Sequence, residues 1–211
     1  MEIYSSEEQQ VEAIKRFAKE YGKSILAGVI IGLVALGGVR SYQAGQREAA
    51  EAASTQFSQL VESRDAAAAS EDWLAQAQGF IDGTKGDNYA VLAALLAAKD
   101  AVALQQFDKA EQQLNWVLVN AKEPALLAVT QLRLARLQRE QGKLDEALVT
   151  LAKPVPESFV SMQAELKGDV LVQADKLAEA KTAYQLALEN ASQNKQLLQI
   201  KLDELAHITA A

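Results

Sequence analysis

Hydrophobic patterning divides the chain into three regimes. Positions 24–39 carry no charge, and within them Ile25-Leu26-Ala27-Gly28-Val29-Ile30-Ile31-Gly32-Leu33-Val34-Ala35-Leu36 has no polar side chain at all. Before this run, Val11, Ile14, Phe17 and Tyr21 recur at helical spacing and mark one apolar face of an amphipathic helix. Ser5-Ser6-Glu7-Glu8 offers that helix a cap, with acids in its first turn. After the run the apolar residues keep a helical period to the end of the chain. The period predicts helices over 41–64, around Trp73 to Ile81, over 88–104, 125–140 and 158–173, and over 195–208. Positions 65–70 break the pattern, and Asp82-Gly83-Thr84-Lys85-Gly86-Asp87-Asn88 is turn chemistry.

The uncharged run, bounded by Lys23 and Arg40, covers about 24 Å as a helix, against a bilayer core of about 30 Å. Snorkelling of Lys23 and Arg40, with Tyr21 and Tyr42 at the interfaces, lengthens the effective span. We read 23–42 as a single transmembrane helix. Three readings compete with it. A buried core helix has a similar length. A cleaved signal peptide would want a short basic start, whereas Glu2, Glu7, Glu8, Glu12 and Glu20 precede this run. An interfacial helix would need a polar face. Lys15, Arg16, Lys19 and Lys23 before the run outnumber Arg40 and Arg47 after it, so the amino terminus is expected in the cytoplasm. Residues 1–22 are then a cytoplasmic amphipathic tail that either lies on the membrane or docks a partner. Gly28 and Gly32 form a small-xxx-small pair that permits close approach of another membrane helix.

The remainder is repetitive. Phe107-Asp108-Lys109-Ala110, Leu144-Asp145-Glu146-Ala147 and Leu177-Ala178-Glu179-Ala180 recur at spacings of 37 and 33 residues, each opening a helix that follows another helix. Two helices per unit with a period near 34 predict a tetratricopeptide-type solenoid; the alternative is an ordinary antiparallel bundle. The third unit is the clearest, with Gly168 twelve residues before Ala180 and Tyr184 and Ala187 after it. The second carries Gly142 in its turn, and the first, around Ala110 and Leu114, is degenerate. Pro124, Pro154 and Pro156 fall between units, where they break no helix. The fold class is therefore all-α: one amino-terminal membrane helix followed by a helical-repeat domain over 43–211.

Composition narrows the function. The net charge of −7 lies wholly beyond residue 40, which disfavours binding to phosphate backbones. Without cysteine there are no disulfides, thiolate metal sites or thiol nucleophiles. His207 is the only histidine, so a zinc site lacks ligands. Gly22-Lys23-Ser24 has Phe17 where a phosphate-binding loop needs glycine. The 82–88 turn lacks alternate carboxylates for calcium. Glu71/Asp72 and Asp203/Glu204 read as solvated acids, and Asn190-Ala191-Ser192 is a three-residue glycosylation match only. No catalytic constellation and no cofactor site emerges.

Met1-Glu2-Ile3-Tyr4, the Gln10-Val11-Glu12-Ala13-Ile14-Lys15-Arg16-Phe17 helix, Gly22-Lys23 and the glycine-bearing anchor together resemble the YfgM family, ancillary subunits of the bacterial Sec translocon. The likeness extends through Tyr89-Ala90-Val91-Leu92-Ala93 and Leu132-Arg133-Leu134-Ala135-Arg136 into the repeats. The resemblance implies a single-pass inner-membrane protein with a periplasmic tetratricopeptide-like domain. It also implies association with the SecYEG translocon and the periplasmic chaperone PpiD, and no enzymatic activity. Three hypotheses follow. The first is a membrane-tethered module that brings emerging secretory proteins to chaperones, where anchoring supplies effective concentration. The second is a periplasmic scaffold in envelope assembly, and the third is an anchored enzyme.

The first helix of each repeat pair is the expected binding face. Eleven residues before Ala110, Ala147 and Ala180 stand Lys99, Arg136 and Asp169, and Arg139 follows Arg136 by one turn. These charges would steer an acidic or mixed partner segment, or merely solvate the helices. Leu92, Leu95 and Met162 offer an apolar contact instead.

Overall fold

The computed structural model describes residues 7–66 and 69–210, except for the side chains of 7–10, 13, 24, 25, 65, 66 and 207–210. The Ser5-Ser6 cap and the Met1-Glu2-Ile3-Tyr4 segment lie outside the described residues, as does the side chain of His207. Every regular element among the described residues is an α-helix: α1 (Glu7–Ala66), α2 (Glu71–Gly83), α3 (Asn88–Ala103), α4 (Phe107–Asn120), α5 (Pro124–Glu140), α6 (Leu144–Leu151), α7 (Glu157–Gln173), α8 (Leu177–Glu189) and α9 (Lys195–Ala210). The chain falls into two units, Met1–Ala52 and Ala53–Ala211.

In the first unit, what patterning divides into tail, apolar run and following helix is one uninterrupted helix. No proline occurs between Glu7 and Ala66 to remove a backbone donor. One window within Leu26–Arg64 is long and apolar enough to cross a membrane, with mean hydropathy 1.4, and none of it is buried. A core helix would bury most of such a window, so that competing reading fails. Val11, Ile14, Phe17 and Tyr21 are exposed along the preceding turns.

The second unit begins with the end of α1 and with α2, whose amino terminus is capped by Ser70 accepting from the Trp73 N–H at 3.2 Å. Helix pairs α3/α4, α5/α6 and α7/α8 follow, and α9 packs on α8. The turn inside each pair has the same construction. Gln105, Gly142 and Asp175 adopt φ of 61°, 73° and 58°. The next N–H in each case bonds back five residues: Gln106 to Ala101 at 2.8 Å, Lys143 to Gln138 at 2.9 Å, Lys176 to Leu171 at 2.9 Å. This closure satisfies carbonyls that the helix end leaves open. Only one of the three positions is glycine. The α3/α4 pair, degenerate in sequence, therefore closes as the other two do.

Ala110, Ala147 and Ala180 are all fully buried. Twelve residues earlier stand Ala98, Ala135 and Gly168; four residues later stand Leu114, Leu151 and Tyr184. Ala98 and Leu114 share one buried cluster and Ala135 and Leu151 another. In the third pair a Cβ on Gly168 would fall 2.3 Å from Tyr184 Cε1, so the larger ring is matched by the missing methyl group.

One position breaks this equivalence. Asp100 occupies the place of Leu137 and Val170, and it is 1% exposed. Arg64, near the end of α1, reaches it with two hydrogen bonds, Nη2 to Oδ1 at 2.7 Å and Nε to Oδ2 at 2.9 Å. The guanidinium also lies 5.8 Å from the centre of the Trp73 ring, whose Nε1 donates to the Leu60 carbonyl at 3.0 Å. The polar residue that blurs the first repeat is thus the tie between α1 and α3.

Candidate functional site

Alanine shapes the surface of α3. Ala90, Ala93, Ala94, Ala97, Ala98 and Ala101 are buried, so the helix approaches its neighbours closely. Its larger side chains Leu92, Leu96, Lys99 and Val102 then project along the side that faces α5. α5 answers with Arg133, Arg136, Leu137 and Glu140. Phe107 and Leu114 of α4 close the groove below, and Phe57 of α1 adds a wall held by ring contacts with Phe80 and Tyr89 at 6.1 and 5.4 Å. The groove holds about 680 Å³. α3 and α5 approach one another less closely than α5 and α7 do, and the space lies between them.

The groove is apolar and open. Leu92 and Val102 are 41% and 42% exposed, and Phe107 is partly exposed. Its cations are unneutralised: among the described residues, Lys99, Arg133 and Arg136 form no ion pair. Glu140, the acid on this rim, is engaged by Arg139 at 2.7 Å. Exposed apolar surface bordered by charge is a feature that protein-binding surfaces share.

The residues singled out by repeat spacing separate into two places. Lys99 and Arg136 line the groove together, with Leu92 and Leu95. Arg139 and Asp169 belong to a network that joins α5, α7, α8 and α9. Asp169 accepts from Tyr184 Oη at 2.7 Å and from Lys201 Nζ at 2.6 Å, and Arg139 Nη1 lies 3.5 Å away. Lys201 also donates to Glu165 at 2.8 Å. Burial, with Asp169 as acceptor, pushes the Tyr184 hydroxyl well above its ordinary value. Burial opposes the charge on Lys201, but the carboxylates of Asp169 and Glu165 outweigh it and hold the ammonium above its ordinary range. The Asp169 carboxylate is therefore committed within the chain. Met162 is exposed but does not line the groove.

Arg133, Val102 and Phe107 escape the repeat-spacing argument. Arg133 lies one turn before Arg136 and Val102 one turn after Lys99, so extending the helical period would have found both. Phe57 gives no such signal, because it comes from another helix. Gly28 and Gly32, in the first unit, have nothing within 4 Å of an added Cβ, so packing inside the chain does not require either glycine. No group of three or more metal-ligating side chains occurs among the described residues.

The family described as tetratricopeptide repeat-like domain matches residues 15–207. A Haemophilus influenzae protein named ancillary SecYEG translocon subunit is 35% identical over 201 residues, covering 94% of this chain and 97% of its own. An Escherichia coli protein of the same name is 33% identical over 211 residues, covering 98% and 100%. A third, from Neisseria gonorrhoeae, is 31% identical over 208 residues, covering 97% and 100%.

Proposed function

The chain belongs to the tetratricopeptide repeat-like family that includes the ancillary SecYEG translocon subunits, and on that premise we propose that it is a membrane-anchored protein-interaction module of the Sec translocon. The observation that carries this reading is the groove between α3 and α5, an open apolar surface with unpaired cations. The module binds rather than catalyses. Its partners are the SecYEG channel and a periplasmic chaperone, PpiD being the one the resemblance implies. Holding the groove beside the channel exit raises its effective concentration toward emerging chains, so weak contacts suffice.

Residues 1–22 form the cytoplasmic tail, 23–42 span the inner membrane and 43–211 form the periplasmic domain. Basic residues ahead of the span support this orientation. Gly28 and Gly32 serve as the approach face for a partner's membrane helix, a role supported by the open space at both. Lys99 and Arg136 contact the partner in the groove, while Arg139 and Asp169 hold α5 to the carboxyl-terminal helices. Affinity purification of the full chain in mild detergent tests the reading. Translocon and chaperone subunits should co-purify, and recovery of neither would overturn it.

A further inference from the structure

The two long walls of the groove differ in kind. α3 presents Leu92, Leu96 and Val102, with Lys99 among them, whereas α5 presents Arg133 and Arg136 beside Leu137, with Glu140 drawn to Arg139. A partner that satisfies both walls is apolar on one side and acidic along the adjoining edge. The walls also decide its conformation. They are helices whose backbone groups are bonded internally, so they offer no edge for a strand to pair with. An extended segment would have to draw its backbone bonds from solvent or from side chains on the rim, whereas a helix carries those bonds with it.

Resting on the reading of this groove as the docking site, we propose that it receives an amphipathic helix of a partner protein. That helix carries large apolar residues at i, i+4 and i+7, with glutamate or aspartate along one neighbouring edge. Charge supports the acidic edge. The region beyond residue 40 carries all of the chain's net −7, so an acid-edged helix is repelled by most of the surface and attracted where Lys99, Arg133 and Arg136 cluster. Size supports it as well. About 680 Å³ accepts the anchoring side chains of a helix, not the whole helix.

The test uses the full chain in nanodiscs and a designed fluorescent helix with leucines at that spacing and glutamates along one edge. A second helix carries lysines in place of the glutamates. The acid-edged helix should bind, more weakly as salt rises, and about tenfold more weakly to an Arg133→Glu, Arg136→Glu double variant. The lysine-edged helix should prefer that double variant. Leu92→Ser should weaken binding while helicity and melting temperature hold. Equal binding of the two helices, or binding indifferent to salt, overturns the proposal. A photo-crosslinking residue in place of Leu92, used in native membranes, separates the two levels of inference. Crosslinks that the acid-edged helix competes away support the proposal. Crosslinks that it leaves intact refute the acid-edged helix but keep the groove as a docking site. Absence of crosslinks refutes the docking site itself, and the proposal with it.

Discussion

At position 168 glycine faces a tyrosine, where the two preceding units set alanine against leucine. Total volume is held nearly constant across the three pairs, as close packing requires. Gly168→Ala would drive a methyl group into the Tyr184 ring and is expected to cost about 1–3 kcal/mol. Adding Tyr184→Leu should recover part of that loss, since it restores the alanine–leucine pair of the earlier units. Urea denaturation of the four proteins of this cycle measures the coupling; additive losses would show that ring and glycine do not share the space. Tyr184 and Lys201 also set an alkaline limit. Their folded-state values lie above the ordinary 10.0 and 10.5. Above about pH 10 the unfolded chain releases protons that the folded chain retains, so stability complete below that pH falls as pH rises further. Tyr184→Phe should be less stable at pH 8, by about 1 kcal/mol for the lost hydrogen bond, yet decline less steeply between pH 10 and 11. Melting temperatures across that range decide the matter, and parallel curves would contradict it.

Among the elements, α1 carries two assignments on one helix. Its apolar window reads as a membrane span, and its last turns enter the core of the repeat unit through Leu60, Phe57 and Arg64. The Arg64–Asp100 pair is what an element-level substitution exposes most clearly. Arg64→Met leaves a buried carboxylate without its partner and is expected to destabilise by about 3–5 kcal/mol. Arg64→Met with Asp100→Leu places at 100 the residue found at the equivalent position 137, and should regain most of that stability. Chemical denaturation reads both, and a double variant no more stable than the single one would deny that Asp100 takes a core position. The repeated turn is the other element-scale result. Its left-handed residue is glycine at 142 but glutamine at 105 and aspartate at 175, so the local backbone demand is met without the residue that usually advertises it.

For the molecule as a whole, the proposed orientation makes a single prediction. Val119 is exposed in the repeat unit, so cysteine introduced there should react with a membrane-impermeant thiol reagent in intact spheroplasts. Labelling only after lysis would place the repeat unit in the cytoplasm. The sequence by itself determined the helical class, the apolar run, the three repeat pairs, the bounds of the first helix in each pair and the start of the second to within a residue or two. These are consequences of local period, of small residues at close-approach positions and of prolines kept out of helix interiors. It also reached part of the groove, because Leu92, Leu95 and Lys99 on α3 and Arg136 on α5 follow from counting along the first helices of two repeats. Only the tertiary structure decided that Asp169 is spent on Tyr184 and Lys201, that Asp100 is a core position filled by an ion pair, and that Phe57 walls the groove. Each of those facts joins side chains on different helices. A helical period fixes which side of one helix a residue occupies, but not which neighbour packs against that side.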